Sequence, residues 1–261
     1  MFSKRNAALI IALAAFCTVV KAQQHSFLFT LVPPDQAGSQ VLLQYDAAYG
    51  RETFEPLGGD NVEQTLGIHA RLNESILLTG RLGFATTNAS TLSSQHVELL
   101  VRTLSSHKSL LDVSLGPGFR HEYSGTNVLL GRIIVGRHFA SWDVYVNMLF
   151  EKPFSPTRDD IDLVLTLGWS YSVSSAIRIG IEGVGQDLEG FWEENEAEGG
   201  ARLFLGPTLA AAIPATSWTF TLGAGPILRA TQNSRFSSAL RDLPLSSRNG
   251  FVVHAAIRFG L

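Results

Sequence analysis

The stretch Asp160-Ile-Asp-Leu-Val-Leu-Thr-Leu-Gly-Trp-Ser-Tyr171 alternates in character along its length. Ile161, Leu163, Leu165, Leu167 and Trp169 fall on one face of an extended chain, and Asp160, Asp162, Thr166, Gly168 and Ser170 fall on the other. Successive side chains of a strand point to opposite faces, so one face suits lipid and the other suits water. After residue 40 the same alternation recurs in segments of about ten residues. Short segments of this kind, separated by turns, mark a transmembrane β-barrel, whose lipid-facing and lumen-facing residues share every strand. The expected fold class is therefore all-β, a closed antiparallel transmembrane β-barrel.

Twelve strands are predicted, at about 40–49, 62–72, 75–85, 94–104, 109–121, 127–139, 142–151, 160–171, 175–186, 199–213, 217–230 and 250–261. Tight links at 73–74, 140–141, 172–174 and 214–216 contrast with long ones at 50–61, 86–93, 152–159, 187–198 and 231–249. Outer-membrane barrels have an even strand number, short periplasmic turns and longer external loops. An even count places both termini on the periplasmic side.

Upstream, Lys4 and Arg5 precede an apolar run from Ala7 to Val20, and Val20-Lys21-Ala22 leads into the polar pair Gln23-Gln24. Basic, apolar and small residues in that order describe a secretory signal peptide over 1–22. The run is too short for the roughly 20 residues of a spanning helix. Residues 23–39 then form a periplasmic N-terminal segment and 40–261 the outer-membrane β-barrel. Phe16 before Cys17 disfavours lipidation, which requires a small residue there. Once the signal is removed no cysteine remains to form a disulfide or a thiolate metal site.

Loss of Lys4, Arg5 and Lys21 from the 20 basic residues leaves 17 against 23 acidic ones. An acidic balance excludes bulk nucleic-acid binding, which needs basic patches to displace phosphate counterions. No composition shift or Pro/Ser-rich linker divides the remainder, so a single domain is expected. The expected partners are outer-membrane lipids, a small-molecule solute and the barrel-insertion machinery. The last of these would read the C-terminal strand Phe251-Val-Val-His-Ala-Ala-Ile-Arg-Phe-Gly-Leu261, whose Phe251, Val253, Ala255, Ile257, Phe259 and Leu261 share one face. Such strands usually end in an aromatic residue, and here Phe259 stands two back. Trp142, Tyr171 and Trp218 beside tight turns, with Phe84, Phe119 and Phe150 toward long loops, suit two interfacial girdles. The competing reading is a soluble β-sandwich or lipocalin-like barrel with these aromatics in its core.

If the apolar face meets lipid, the other face carries the mid-strand charges. The lumen-lining candidates are Arg81, Arg102, Asp112, Arg132, Asp143, Tyr145, Asn147, Glu151, Asp162, Arg178, Glu182, Arg202 and Arg258, with Asp46, His69, Glu98, Arg120 and His254 on the same face. An Arg or Lys turned to mid-bilayer lipid would cost about 2–4 kcal/mol, which fixes the register. Arg81, Arg102, Arg132 and Arg202 are expected to face Asp112, Glu151, Asp162 and Glu182, bracing the lumen, orienting a solute, or both. Twelve strands lie between barrels filled by side chains and those with wide aqueous channels, so a narrow, selective conduit is expected.

No Walker loop, dinucleotide fingerprint or His/Cys metal cluster occurs, and no cofactor or metal is expected. The acidic stretch Asp187–Glu198 lacks EF-hand spacing and reads as a solvated external loop rather than a calcium site. Arg120-His-Glu-Tyr-Ser124 puts His121 near Ser124, as in outer-membrane lipid hydrolases. It lacks their His-x-Ser-Asn pattern, and a nucleophilic serine needs a base within hydrogen-bond reach. No enzymatic activity is expected.

The segments Ile179-Gly-Ile-Glu-Gly183, Gly206-Pro-Thr-Leu209 and Trp218-Thr-Phe-Thr-Leu-Gly-Ala-Gly225 resemble a group of transporter-like outer-membrane barrels associated with phenol-degradation pathways. The resemblance covers mainly the second half. It implies passage of small compounds, aromatic ones included, and transfers no binding residues. The expected function is an outer-membrane channel or transporter-like barrel that passes or binds small, aromatic or amphipathic molecules. The alternative is a non-conducting structural or adhesive barrel acting through its external loops.

Overall fold

The computed structural model describes residues 27–34, 40–51, 61–86, 91–106, 109–154, 161–186, 188, 201–229 and 249–261. The signal segment 1–22, Asp160 and most of the acidic loop at 187–198 lie outside the described residues. Twelve strands run β1 (Val41–Arg51), β2 (Asn61–Asn73), β3 (Ile76–Thr86), β4 (Thr91–Leu104), β5 (Asp112–His121), β6 (Asn127–His138), β7 (Trp142–Pro153), β8 (Asp162–Ser172), β9 (Ile177–Gln186), β10 (Arg202–Ala212), β11 (Trp218–Arg229) and β12 (Gly250–Gly260). Each pairs antiparallel with its sequence neighbours, and β12 pairs with β1 through Leu42↔Gly260 to Arg51↔Phe251, closing the barrel. Closure leaves no unpaired edge, which a bilayer requires because it supplies no water to the backbone.

Side-chain alternation decides which way each strand faces. In β8, Leu167 is 50% exposed and Trp169 39%, whereas Asp162, Thr166 and Ser170 are buried. The exposed large residues around the barrel include Leu66, Leu82, Leu115, Leu129, Ile181, Leu205 and Leu222. A soluble sandwich would bury them, so this outer surface is one that meets lipid. Phe84, Phe119, Phe150, Tyr171 and Trp218 are exposed on it. Trp142 is half-buried and stacks on Phe139 at 3.7 Å between ring centroids.

The alternation of link lengths fails at one place. The link over 105–111, on the short-turn side, is longer than the turn over 122–126, on the long-loop side. The former is folded on itself: Ser106 N–H donates to Asp112 Oδ1 at 2.6 Å, and Ser109 N–H to the Ser105 carbonyl at 2.9 Å. The latter is a tight turn with Gly125 at φ +90°, and Glu122 N–H donates to the Thr126 carbonyl at 2.9 Å. Both are self-bonded, so strand direction, rather than length, sets which end a link occupies.

The N-terminal segment requires a correction. The sequence places 23–39 outside the barrel on the periplasmic side, but the described part, 27–34, lies within the barrel, with Phe27, Leu28, Thr30 and Val32 buried. The reason is physical: Phe27-Leu-Phe-Thr-Leu-Val32 is too apolar to leave in water when an apolar interior is within reach.

The interior itself is divided. In the long-loop half, Leu130, Leu149, Val164, Val184, Phe204, Ile227, Val252 and Ala48 form an apolar arc across the adjacent strands β6 to β12 and β1. The facing strands β2 to β5 present Glu63, Arg81, His96, Glu98 and Arg120. Nearer the short turns, Phe27 and Val32 pack with Leu77, Leu100, Ile134 and Tyr145.

Candidate functional site

Three interior side chains hold the N-terminal segment. The Glu182 carboxylate accepts backbone N–H groups from Leu28 at 2.7 Å, Phe29 at 3.0 Å and Thr30 at 2.9 Å. Asn147 takes Leu31 on both sides, its Oδ1 accepting the N–H at 2.8 Å and its Nδ2 donating to the carbonyl at 3.0 Å. An Arg258 guanidinium nitrogen donates to the Phe27 carbonyl at 2.6 Å. Three successive N–H groups converging on one carboxylate form an anion-binding concavity turned on the protein's own side chain. Charge-assisted bonds of this kind are the strong ones.

Two glycines make the room. A Cβ on Gly168 would lie 2.7 Å from the Phe27 ring, and one on Gly223 would lie 2.6 Å from a Leu28 methyl. Beyond the anchors, the Phe29 ring sits 5.2 Å from Phe204 and 5.1 Å from His254, so the segment joins the apolar arc as well as the polar wall.

Across the lumen, charges satisfy one another. Arg132 grips Glu98 with two bonds of 2.6 and 2.8 Å, and His96 Nε2 lies 2.5 Å from the same carboxylate. Arg120 reaches Glu151 at 2.6 and 2.9 Å and Glu122 at 2.5 Å. Arg178 pairs with Asp143, which also contacts His138. Asp46 accepts from Gln44 and Thr65 at 2.8 Å, with Arg81 and His254 each 3.7 Å away. Tyr123 OH donates to Glu63 from the tight turn after β5.

Of the residues singled out from the sequence, Asn147, Glu182 and Arg258 meet on the N-terminal segment. Arg81, Arg132, Asp143, Glu151 and Arg178 enter the ion pairs, and Tyr145 packs against Phe27 at 6.4 Å. Asp112, Asp162 and Arg202 are buried. Asp112 receives Ser106 near the short turns, and Asp162 and Arg202 stand at the long-loop ends of β8 and β10. Arg102 is half-buried beside the β4 bulge at the short-turn end. Within these groups Arg132 takes Glu98, Glu151 takes Arg120, and Glu182 takes backbone.

Glu63, His96, Glu122 and Tyr123 are additions. Period-two alternation in β2 and β4 marks Glu63 and His96, whereas nothing local in the sequence marks a turn tyrosine that folds inward. His121 Nδ1 bonds Asn127 Oδ1 at 2.8 Å, and Ser124 Oγ accepts the Thr126 N–H at 3.1 Å. The two are engaged elsewhere rather than with each other.

Two cavities flank the N-terminal segment. One, of about 890 Å³ with its mouth, lies toward the long loops between Phe29, Leu149, Val164 and Val184 and a wall of Glu63, Ser94, Arg120 and Tyr123. The other, of about 760 Å³ with its mouth, lies toward the short turns along Phe27–Val32, Leu42, His69 and Leu77. Phe29, Arg81, His96 and Arg132 border both.

A closed twelve-stranded barrel with an apolar outer belt and a charged interior defines an outer-membrane β-barrel protein. Its fold is shared with solved porins. KdgM porin superposes with a TM-score of 0.57 at 12% identity, covering 84% of this chain and 99% of that one. NanC porin gives 0.57 at 9%, covering 84% and 100%. No protein-family model and no curated protein matches the sequence.

Proposed function

We propose that this protein is an outer-membrane conduit for small solutes, its long loops external, whose lumen is narrowed by its own N-terminal segment. The observation that carries the reading is the asymmetry of the lumen. The segment is bonded to β7, β9 and β12, and the cavities above and below it share Phe29, Arg81, His96 and Arg132 in their linings. A solute would pass along the β2–β6 side. There Arg81, Arg132 and their carboxylates line the way as fixed charges of both signs, which set selectivity in narrow pores.

The likeness to porins supports a channel of this class. One of those structures is described as KdgM porin in complex with disordered oligogalacturonate. The resemblance to barrels associated with phenol degradation points to less polar cargo, and the interior apolar arc supports that direction. A second reading, a non-conducting barrel acting through its loops, is favoured by the six hydrogen bonds that hold the segment across the lumen.

Planar-bilayer conductance and solute uptake by liposomes decide between them. The conduit predicts a small conductance for the full chain and a several-fold larger one for a Glu182→Gln, Asn147→Leu variant. Silence from both proteins would leave the loop reading standing.

A further inference from the structure

The cavity on the long-loop side has two unlike walls. Phe29, Leu149, Val164 and Val184 make one side apolar, and Arg120, Arg132 and Glu63 make the other charged. Each guanidinium on the charged side already faces a carboxylate: Arg132 holds Glu98, Arg120 holds Glu151 and Glu122, and Arg81 stands 3.7 Å from Asp46. An incoming carboxylate would have to break one of these buried pairs, and an ion left buried without its partner is strongly destabilising. Arg120 Nε and Thr166 Oγ1 are buried and make no hydrogen bond. Both residues line this cavity. A buried polar atom without a partner costs free energy that a ligand group recovers by bonding to it.

We propose that this cavity binds small uncharged amphipathic molecules, with a compact hydrocarbon body on the Phe29–Leu149–Val164–Val184 wall and a single hydroxyl-type head between Thr166 Oγ1 and Arg120 Nε. The proposal deepens the conduit reading and rests on it for its biological use, but binding itself requires no flux. A fully hydroxylated ring fails because it strands polar groups on the apolar wall. A carboxylate fails because the guanidiniums are engaged.

Three probes on one ring separate these cases: cyclohexanol, cyclohexanecarboxylate and myo-inositol. They are titrated into the detergent-solubilised full chain while Leu and Val methyl NMR signals are followed. The expected result is saturable binding of cyclohexanol alone, with shifts centred on Leu149, Val164 and Val184. Thr166→Val should weaken it by about three- to tenfold, the worth of one hydrogen bond. Thr219→Val, interior but remote from the cavity, should leave it unchanged. Heat-modifiable gel mobility verifies that each variant is folded.

Equal binding of the carboxylate, non-saturable shifts, or shifts confined to the lipid-facing Leu163 and Leu167 would overturn the site. So would a folded Thr166→Val that binds as the parent does. Loss of the site with liposome flux intact refutes this inference alone, whereas binding without flux refutes the conduit alone.

Discussion

The wall that carries the N-terminal segment and the wall opposite it are both polar at mid-height, yet they use their polar groups in opposite ways. On β7 and β9, Asn147 and Glu182 spend most of their hydrogen bonds on the backbone of Leu28 to Leu31, with Arg132 also donating to Asn147 Oδ1 at 3.4 Å. On β3 to β6, Arg81, Glu98, Arg120 and Arg132 bond to side chains of the barrel itself or of the turn after β5. The first wall grips the N-terminal strap and the second braces the cylinder. Substitutions on the first should therefore loosen a segment, and those on the second should weaken the whole barrel.

The largest expected effect lies in the brace. Arg132→Leu leaves Glu98 buried without its guanidinium, a loss of about 3–5 kcal/mol in unfolding stability, read as the urea midpoint of the gel-mobility shift. Replacing Glu98 by Leu as well should restore most of it, because two apolar groups leave no buried charge. If the double variant is no more stable than the single one, this wall does not work as a brace.

Next comes the strap. Glu182→Gln removes the charge that three backbone N–H groups share, and each poorly satisfied donor costs about 1–3 kcal/mol. Hydrogen exchange should quicken at Leu28, Phe29 and Thr30 while amides of β2 to β5 keep their protection. Equal quickening on both walls would erase the distinction.

Gly168→Val sharpens the same contrast sterically. The new side chain meets the Phe27 ring, an overpacking cost of about 1–3 kcal/mol. Phe27→Ala should relieve it, so a double-mutant cycle on denaturant midpoints is expected to show strong coupling. Additive costs would place Phe27 elsewhere.

The smallest effect belongs to the turn that closes over the braced side. Tyr123→Phe removes the bond to Glu63 and should lower stability by about 0.5–1.5 kcal/mol. A midpoint shift as large as that of Arg132→Leu would make this turn part of the brace.

Most of the barrel was legible because alternation is a local property. Ile161 to Trp169 face lipid and Asp162, Thr166 and Ser170 face inward as their positions predict, and the strand ends moved by only a few residues. Val164 shows where such reading stops: an apolar residue on the polar face of β8, it makes sense only beside Leu149, Val184 and Phe204 in the interior arc. The ion-pair partners were equally out of reach. Arg132 and Glu98 stand 34 residues apart, and which carboxylate meets which guanidinium depends on side chains reaching across intervening strands.

The sequence by itself determined the number of strands, their direction and the face each turns to lipid, because period-two alternation and the cost of a charge in hydrocarbon act on each strand separately. The tertiary structure alone decided what fills the lumen. The N-terminal hexapeptide carries no signal for its site, since its anchors, Asn147, Glu182 and Arg258, come from β7, β9 and β12 and converge only when the barrel closes. Its apolar side chains required burial, and the unpaired carboxylate and amide of the interior required donors and acceptors, so the segment satisfies both demands in one place.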